Sequence, residues 1–72
     1  MKEAVKAPMA GKVISLLVQI GDVVNDGNEV AVIEAMKMEL PIVSSASGKV
    51  IEIGVSAGQA VEADMTLVVI EG

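Results

Sequence analysis

The chain contains no histidine, no cysteine and no phenylalanine, tryptophan or tyrosine. Each absence closes off a chemistry. Without His or Cys there is no imidazole base, no thiolate nucleophile and no ordinary zinc site. Ser44, Ser45 and Ser47 cannot join a Ser-His-Asp triad, because no His exists to activate them. They lie in "SSASG", whose composition is that of a turn. The carboxylates are scattered among apolar residues, and no two stand out as a tuned acid and base. A self-contained enzyme is therefore excluded, with no catalytic residue and no metal site expected. No disulfide can staple the fold, and nothing points to an oxidising compartment. No stretch reaches the roughly 18 uninterrupted apolar residues of a membrane span. The opening "MKEAVKAP" also lacks the apolar run of a signal peptide. The expectation is a cytoplasmic protein with no direct membrane insertion.

What remains is short, aliphatic and acidic. The 72 residues suggest one domain, spanning 1–72. A chain of this size buries only about 60% of the surface its unfolded form exposes, so its Val, Ile, Leu and Ala must pack efficiently. The net charge of −5 argues against nucleic acid as a partner, which favours basic patches.

The chain is also a repeat. "GKVISLLVQIGDVVNDGNEVAVIE" (11–34) aligns without a gap on "GKVIEIGVSAGQAVEADMTLVVIE" (48–71), at an offset of 37. Gly11, Lys12, Val13 and Ile14 recur as Gly48, Lys49, Val50 and Ile51, and Val32, Ile33 and Glu34 recur as Val69, Ile70 and Glu71. Such symmetry marks one supersecondary unit that cannot bury its apolar face alone. Short Val- and Ile-rich runs, punctuated by Gly, Asn, Asp and Ser, read as strands. Four strands per unit are predicted: 2–6, 11–18, 22–24 and 29–34, then 39–43, 48–55, 59–61 and 66–71. "SAGQAVEADM" (56–65) is the best helix candidate, but Gly58 and the match to "QIGDVVNDGN" speak against it. Alternation along "KVIEIGV" places Ile51, Ile53 and Val55 inward. The aligned copy then buries Ile14, Leu16 and Val18 and turns Ser15 and Leu17 outward. "NDGN" (25–28) is turn chemistry, with Gly27 suited to a positive φ, whereas its counterpart "EADM" is ambiguous. The predicted fold is all-β: two four-stranded antiparallel sheets, packed as a sandwich or flattened barrel, with an internal pseudo-twofold repeat.

The two copies meet at "EAMKMEL" (34–40). The connection Ala35–Met38 is most simply a β-hairpin turn, with its tip exposed. Its symmetry mate is the gap between the chain ends, so Lys37 and the termini are expected at opposite ends. Met-Lys-Met has three readings. A plain surface turn leaves two methionines with no core to fill. A docking patch would use methionine's adaptability. An attachment point would use the lysine amine, which in water is mostly protonated at neutral pH and so needs a separate enzyme to acylate it.

"IEAMKMEL" resembles the attachment motif of the biotinyl domains, the biotin carboxyl carrier family. "APMAGKV", "VQIGDVVNDGNEVAVIEAMKME", "SASGKV" and "VSAGQAVEADMTLVVIE" extend the resemblance over essentially the whole chain. It implies the flattened barrel shared by biotinyl and lipoyl domains. It also implies that Lys37 carries covalent biotin, attached by a biotin protein ligase through biotinyl-adenylate. Glu34, Ala35, Met36, Met38 and Glu39 would then be recognition residues. The implied partners are biotin carboxylase and carboxyltransferase, or a decarboxylase, between which the arm moves CO2. Two departures stand out: Leu40 occupies a position where a polar residue is common, and the connection after Val18 is too short for a protruding thumb. The rival within the same fold is a lipoyl carrier of a 2-oxo acid dehydrogenase or glycine cleavage system. A rival from another class is an unmodified interaction module.

Overall fold

The computed structural model describes residues 1–72, and the chain folds into eight β-strands with no helix. They are β1 (Lys2–Lys6), β2 (Gly11–Leu16), β3 (Val23–Val24), β4 (Glu29–Ala35), β5 (Met38–Val43), β6 (Gly48–Ile53), β7 (Ala60–Val61) and β8 (Thr66–Glu71). No helix is thus long and apolar enough to cross a membrane. All eight strands lie within two residues of the bounds the repeat predicts. The segment weighed as a helix instead holds the short edge strand β7 between two turns.

Two four-stranded antiparallel sheets form, in the orders β1-β8-β6-β3 and β5-β4-β2-β7. The offset of the repeat maps one order onto the other. Neither sheet belongs to one half of the chain. Each half supplies the two central strands of its own sheet and lends its two edge strands to the other sheet. The fully buried Val13, Val30, Ile33, Val50, Leu67 and Ile70 come from the central strands and fill the space between the layers. Val5 and Ile42, the matched residues of the lent strands β1 and β5, complete the same core.

The turns also repeat. Gly27 donates its N–H to the Ser44 carbonyl (2.8 Å), and Asp64 donates its N–H to the Ala7 carbonyl (2.8 Å). Gly27 sits at φ +93° and Asp64 at φ +68°. "EADM" therefore makes the same turn as "NDGN", because aspartate is one of the few L-residues that tolerates the left-handed region. Ser44 is fully buried where its counterpart Ala7 needs no partner. Its hydroxyl donates to the Ala46 carbonyl and accepts from the Ala46 N–H (3.3 Å), so no free hydroxyl remains there. Ser47 Oγ accepts the N–H of Asp26 (2.9 Å).

One expectation from simple alternation fails. Ile14 is 41% exposed, whereas Val13 beside it is fully buried. The cause is a bulge: Val13 pairs with Ile33 and Ser15 with Val32, leaving Ile14 as the extra residue. The second copy repeats this, with Val50 opposite Ile70 and Glu52 opposite Val69 around Ile51. A bulge resets the inward-outward phase, so the buried residue is the valine before it. Leu16 and Val18 retain partly buried positions against the core, and Leu17 is exposed as expected.

This assignment has a direct test by denaturant unfolding. Ile33→Ala should cost about 2–5 kcal/mol, as for other buried aliphatic truncations. Ile14→Ala, on the outward side of the bulge, should cost less than about 1 kcal/mol. Equal losses at the two positions would refute the bulge phase.

Candidate functional site

β4 and β5 are joined by the tightest hairpin connection, with Ala35 opposite Met38 and only Met36 and Lys37 between them. Met36 has φ +53° and Lys37 φ +64°. Two successive left-handed residues define a type I′ turn, the form whose twist matches paired strands. That turn normally takes Asn-Gly, because a Cβ in the left-handed region costs roughly 1–2 kcal/mol per residue. Here both positions carry long side chains. The burial of the aliphatic strands on either side sets the register that holds the turn in this conformation.

The geometry turns Lys37 out at the tip, where it is exposed. None of the side-chain hydrogen bonds of the molecule involves it. Met36 is 80% and Met38 58% exposed, so the two thioethers flank the lysine without packing into the core. Ala35 differs from its neighbours because it is buried beneath the turn. A Cβ placed on Gly11 would lie 2.5 Å from the Glu34 carbonyl oxygen and 3.2 Å from the Ala35 Cβ. Gly11 thus lets β2 approach the base of the hairpin, and Ala35 is small for the same reason. Its burial gives Ala35 a packing role there. The role of Gly11 was not evident from the motif. Its signal in the sequence was recurrence as Gly48, where a Cβ would collide with the Glu71 carbonyl oxygen.

Beside the turn runs the exposed cross-strand row Lys12–Glu34–Glu39. Its symmetry mate at the other end of the molecule is Lys49–Glu71–Lys2. In the mate, one glutamate lies between two lysines. At the hairpin, Glu39 replaces a lysine, and two glutamates face each other, an unfavourable pairing. The hairpin therefore carries two features that work against stability, the non-glycine turn and the Glu34–Glu39 opposition.

The chain ends complete the symmetry. Gly72 donates its N–H to the Met1 carbonyl (3.1 Å), and the Met1 amine donates to the Gly72 carbonyl (3.4 Å). They stand where Ala35 and Met38 stand in the hairpin, with the turn left open. Turn 25–28, which leads into β4, bonds Ser47, and the Ser47 carbonyl lies 2.9 Å from a Cβ built on Gly72. β4 then runs seven residues, about 20 Å, to Ala35. Lys37 and the termini thus lie at opposite ends of the molecule.

A family model described as biotin-requiring enzyme, covering biotin and lipoyl attachment domains, matches residues 3–70. The chain belongs to the biotin/lipoyl attachment family. It is 44% identical over 64 residues to a biotin carboxyl carrier protein of Streptococcus mutans, with 89% of this chain and 49% of that one covered. The chain thus spans about half the length of that relative. A homolog of the biotinylated protein TB7.3 from Mycobacterium leprae is 33% identical over 70 residues, covering 97% of this chain and 99% of the relative. Among solved structures, the urea carboxylase of Kluyveromyces lactis superposes with a TM-score of 0.92 at 34% identity, over 99% of this chain and 6% of that one. In that carboxylase the family fold is one small part of a long polypeptide.

The residues present suit a covalently attached acyl group. The Lys37 amine is exposed, unbonded and carried on a two-residue turn, and the side chains beside it leave it open. The other lysines sit within strands: Lys2, Lys12 and Lys49 lie opposite glutamates, and Lys6 lies opposite Thr66.

The turn's strain is measurable. Replacing Met36-Lys37 by Asn-Gly should raise the unfolding free energy by about 1 kcal/mol, the relief of two strained residues less the added flexibility of glycine. A loss of stability by thermal or denaturant unfolding would show that the native pair is favoured by contacts not evident at the tip.

Proposed function

We propose that this chain is a biotin carboxyl carrier domain in which Lys37 Nζ is the biotin attachment atom. The carrying observation is the presentation of Lys37. In a chain of this family, one lysine stands on a strained two-residue turn between two exposed methionines, at the opposite end of the molecule from the chain ends. In the loading step, Lys37 Nζ loses a proton and forms an amide with the activated carboxyl of biotin, and AMP leaves. A biotin protein ligase supplies that activation from ATP, and none of the chain's own side chains hydrogen-bonds the amine. Met36 and Met38 give the ligase an apolar saddle around the amine, and Glu34 and Glu39 give it an acidic flank. Ala35 shapes the turn from beneath.

Held on Lys37, biotin would supply the chemistry of carrying a carboxyl group between two active sites. The chain's own part is to hold and present. The lysine and the acyl chain together extend on the order of 10–15 Å from the backbone. Placing the arm at the far end from the termini leaves a tether free to swing the whole domain between a carboxylase and a carboxyltransferase or decarboxylase. Tethering of this kind substitutes a high effective concentration for tight binding. ATP-dependent loading fits a cytoplasmic setting. The lipoyl alternative is disfavoured, because relatives of matching sequence include a biotin carboxyl carrier protein and the propionyl-CoA carboxylase alpha chain of Sus scrofa.

Coexpression with a biotin protein ligase, followed by intact-mass measurement, tests the reading. One biotinyl addition is expected, and Lys37→Ala should abolish it while leaving the strand signature in circular dichroism intact. An unchanged mass with an active ligase would reject the proposal. Octanoyl or lipoyl addition in its place would move the chain to the lipoyl branch of the family.

A further inference from the structure

We propose that Met36 and Met38 form an oxidation site, and that their conversion to sulfoxides blocks loading of Lys37. This rests on the biotin-carrier reading and adds a chemical switch to the same hairpin. The chain has no Cys, Trp, Tyr or His, so its five methionines are its readily oxidised side chains. Their exposures differ. Met1 is 99% exposed, Met36 80%, Met38 58% and Met9 36%, while Met65 packs partly buried against the core. Apart from the chain terminus, the most accessible thioethers are therefore the two that border the lysine.

The fold does not account for their presence. Neither packs into the core, and the mate of their turn is an open gap between Gly72 and Met1. An apolar residue held out at a tip, against the preference for burial, is useful to a surface that covers it. Oxidation changes what that surface meets. With hydrogen peroxide as oxidant, the methionine sulfur attacks one peroxide oxygen. An S–O bond forms, the O–O bond breaks, and the other oxygen leaves as water after taking a proton. Sulfur is oxidised by two electrons and the peroxide is reduced by two. The product is a polar, chiral sulfoxide that a methionine sulfoxide reductase can return to the thioether. A ligase surface shaped for two thioethers must then bury one or two strong acceptors without partners. The lysine amine itself is unchanged.

A competition experiment on the native chain tests this without substitutions. The protein is oxidised partially with hydrogen peroxide and then given limiting biotin protein ligase, biotin and ATP. Biotinylated and unmodified pools are separated, and peptide mass spectrometry locates the sulfoxides in each. Sulfoxide is expected to form faster at Met36 and Met38 than at Met65. Molecules oxidised at Met36 or Met38 should load roughly tenfold or more slowly and so be depleted from the biotinylated pool. Sulfoxide at Met1, at the far end, should be equally frequent in both pools. Methionine sulfoxide reductases should restore loading. Acetylation of Lys37 by a small reagent should proceed equally in both forms, showing that the amine stays accessible. Equal distribution of the hairpin sulfoxides between pools, or preferential oxidation of Met65, would overturn the proposal. Failure of the unoxidised chain to load would instead reject the carrier reading on which it stands.

Discussion

The exchange of edge strands between the two halves is the constraint on which the structure depends. β2 and β4 cannot form a closed layer without β5 and β7 from the second half, and β6 and β8 need β1 and β3 from the first. Each half alone would expose one apolar face and two unpaired edges. The small aliphatic core is therefore assembled from both halves at once, and most stabilising pairings are distant in sequence. Within each half the two central strands must also approach closely, and Gly11 and Gly48 recur where a side chain would strike the backbone of the strand alongside.

Two copies of one design also provide an internal comparison. Where only the core decides, the copies agree: Val13 with Val50, Val24 with Val61, Ile33 with Ile70, all buried. Where they disagree in the turns, the physics is satisfied by other means. Asp64 adopts the left-handed backbone that Gly27 adopts, and buried Ser44 bonds locally where Ala7 has nothing to satisfy. The disagreement at the hairpin is of another kind. Glu39 stands where Lys2 would neutralise the row, and Met36-Lys37 closes a turn that Asn-Gly would close with less strain. These choices lower stability relative to alternatives available to the same fold. Departures of this sort gather at functional sites, where selection acts on what a partner meets.

Much of this was legible in the sequence because the repeat carried it. Eight strands, the seam at Ala35–Met38 and the opposed placement of Lys37 and the termini all follow from the offset between copies. The remainder depended on geometry that leaves little mark on residue type. The bulges at Ile14 and Ile51 each follow a valine, so Val13-Ile14 and Val50-Ile51 offer two apolar candidates for one inward position, and alternation with Ser15 and Glu52 selects the isoleucine. The strand exchange is a choice of partner between sheets, and the same strand lengths are compatible with each half forming its own sheet. The turn at Asp64 lacks glycine and so hid its likeness to Gly27. Ala35 reads as part of the motif, yet its side chain is determined by Gly11 on another strand.

On the proposed reading, the site shows how a protein without catalytic groups of its own would take part in a reaction. Its contribution is positional. A lysine on a long loop would sample many orientations, and each encounter with an enzyme would require ordering that loop. On a two-residue turn, the backbone of Lys37 is fixed by the strand pairing on either side, so the only freedom left is in the side chain and whatever it bears. The strain at Met36 and Lys37 is then part of the same device, because a turn of two left-handed residues keeps the strands paired to the last residue before the tip. A looser connection would be less strained, but it would surrender the fixed base that the turn gives to the lysine side chain.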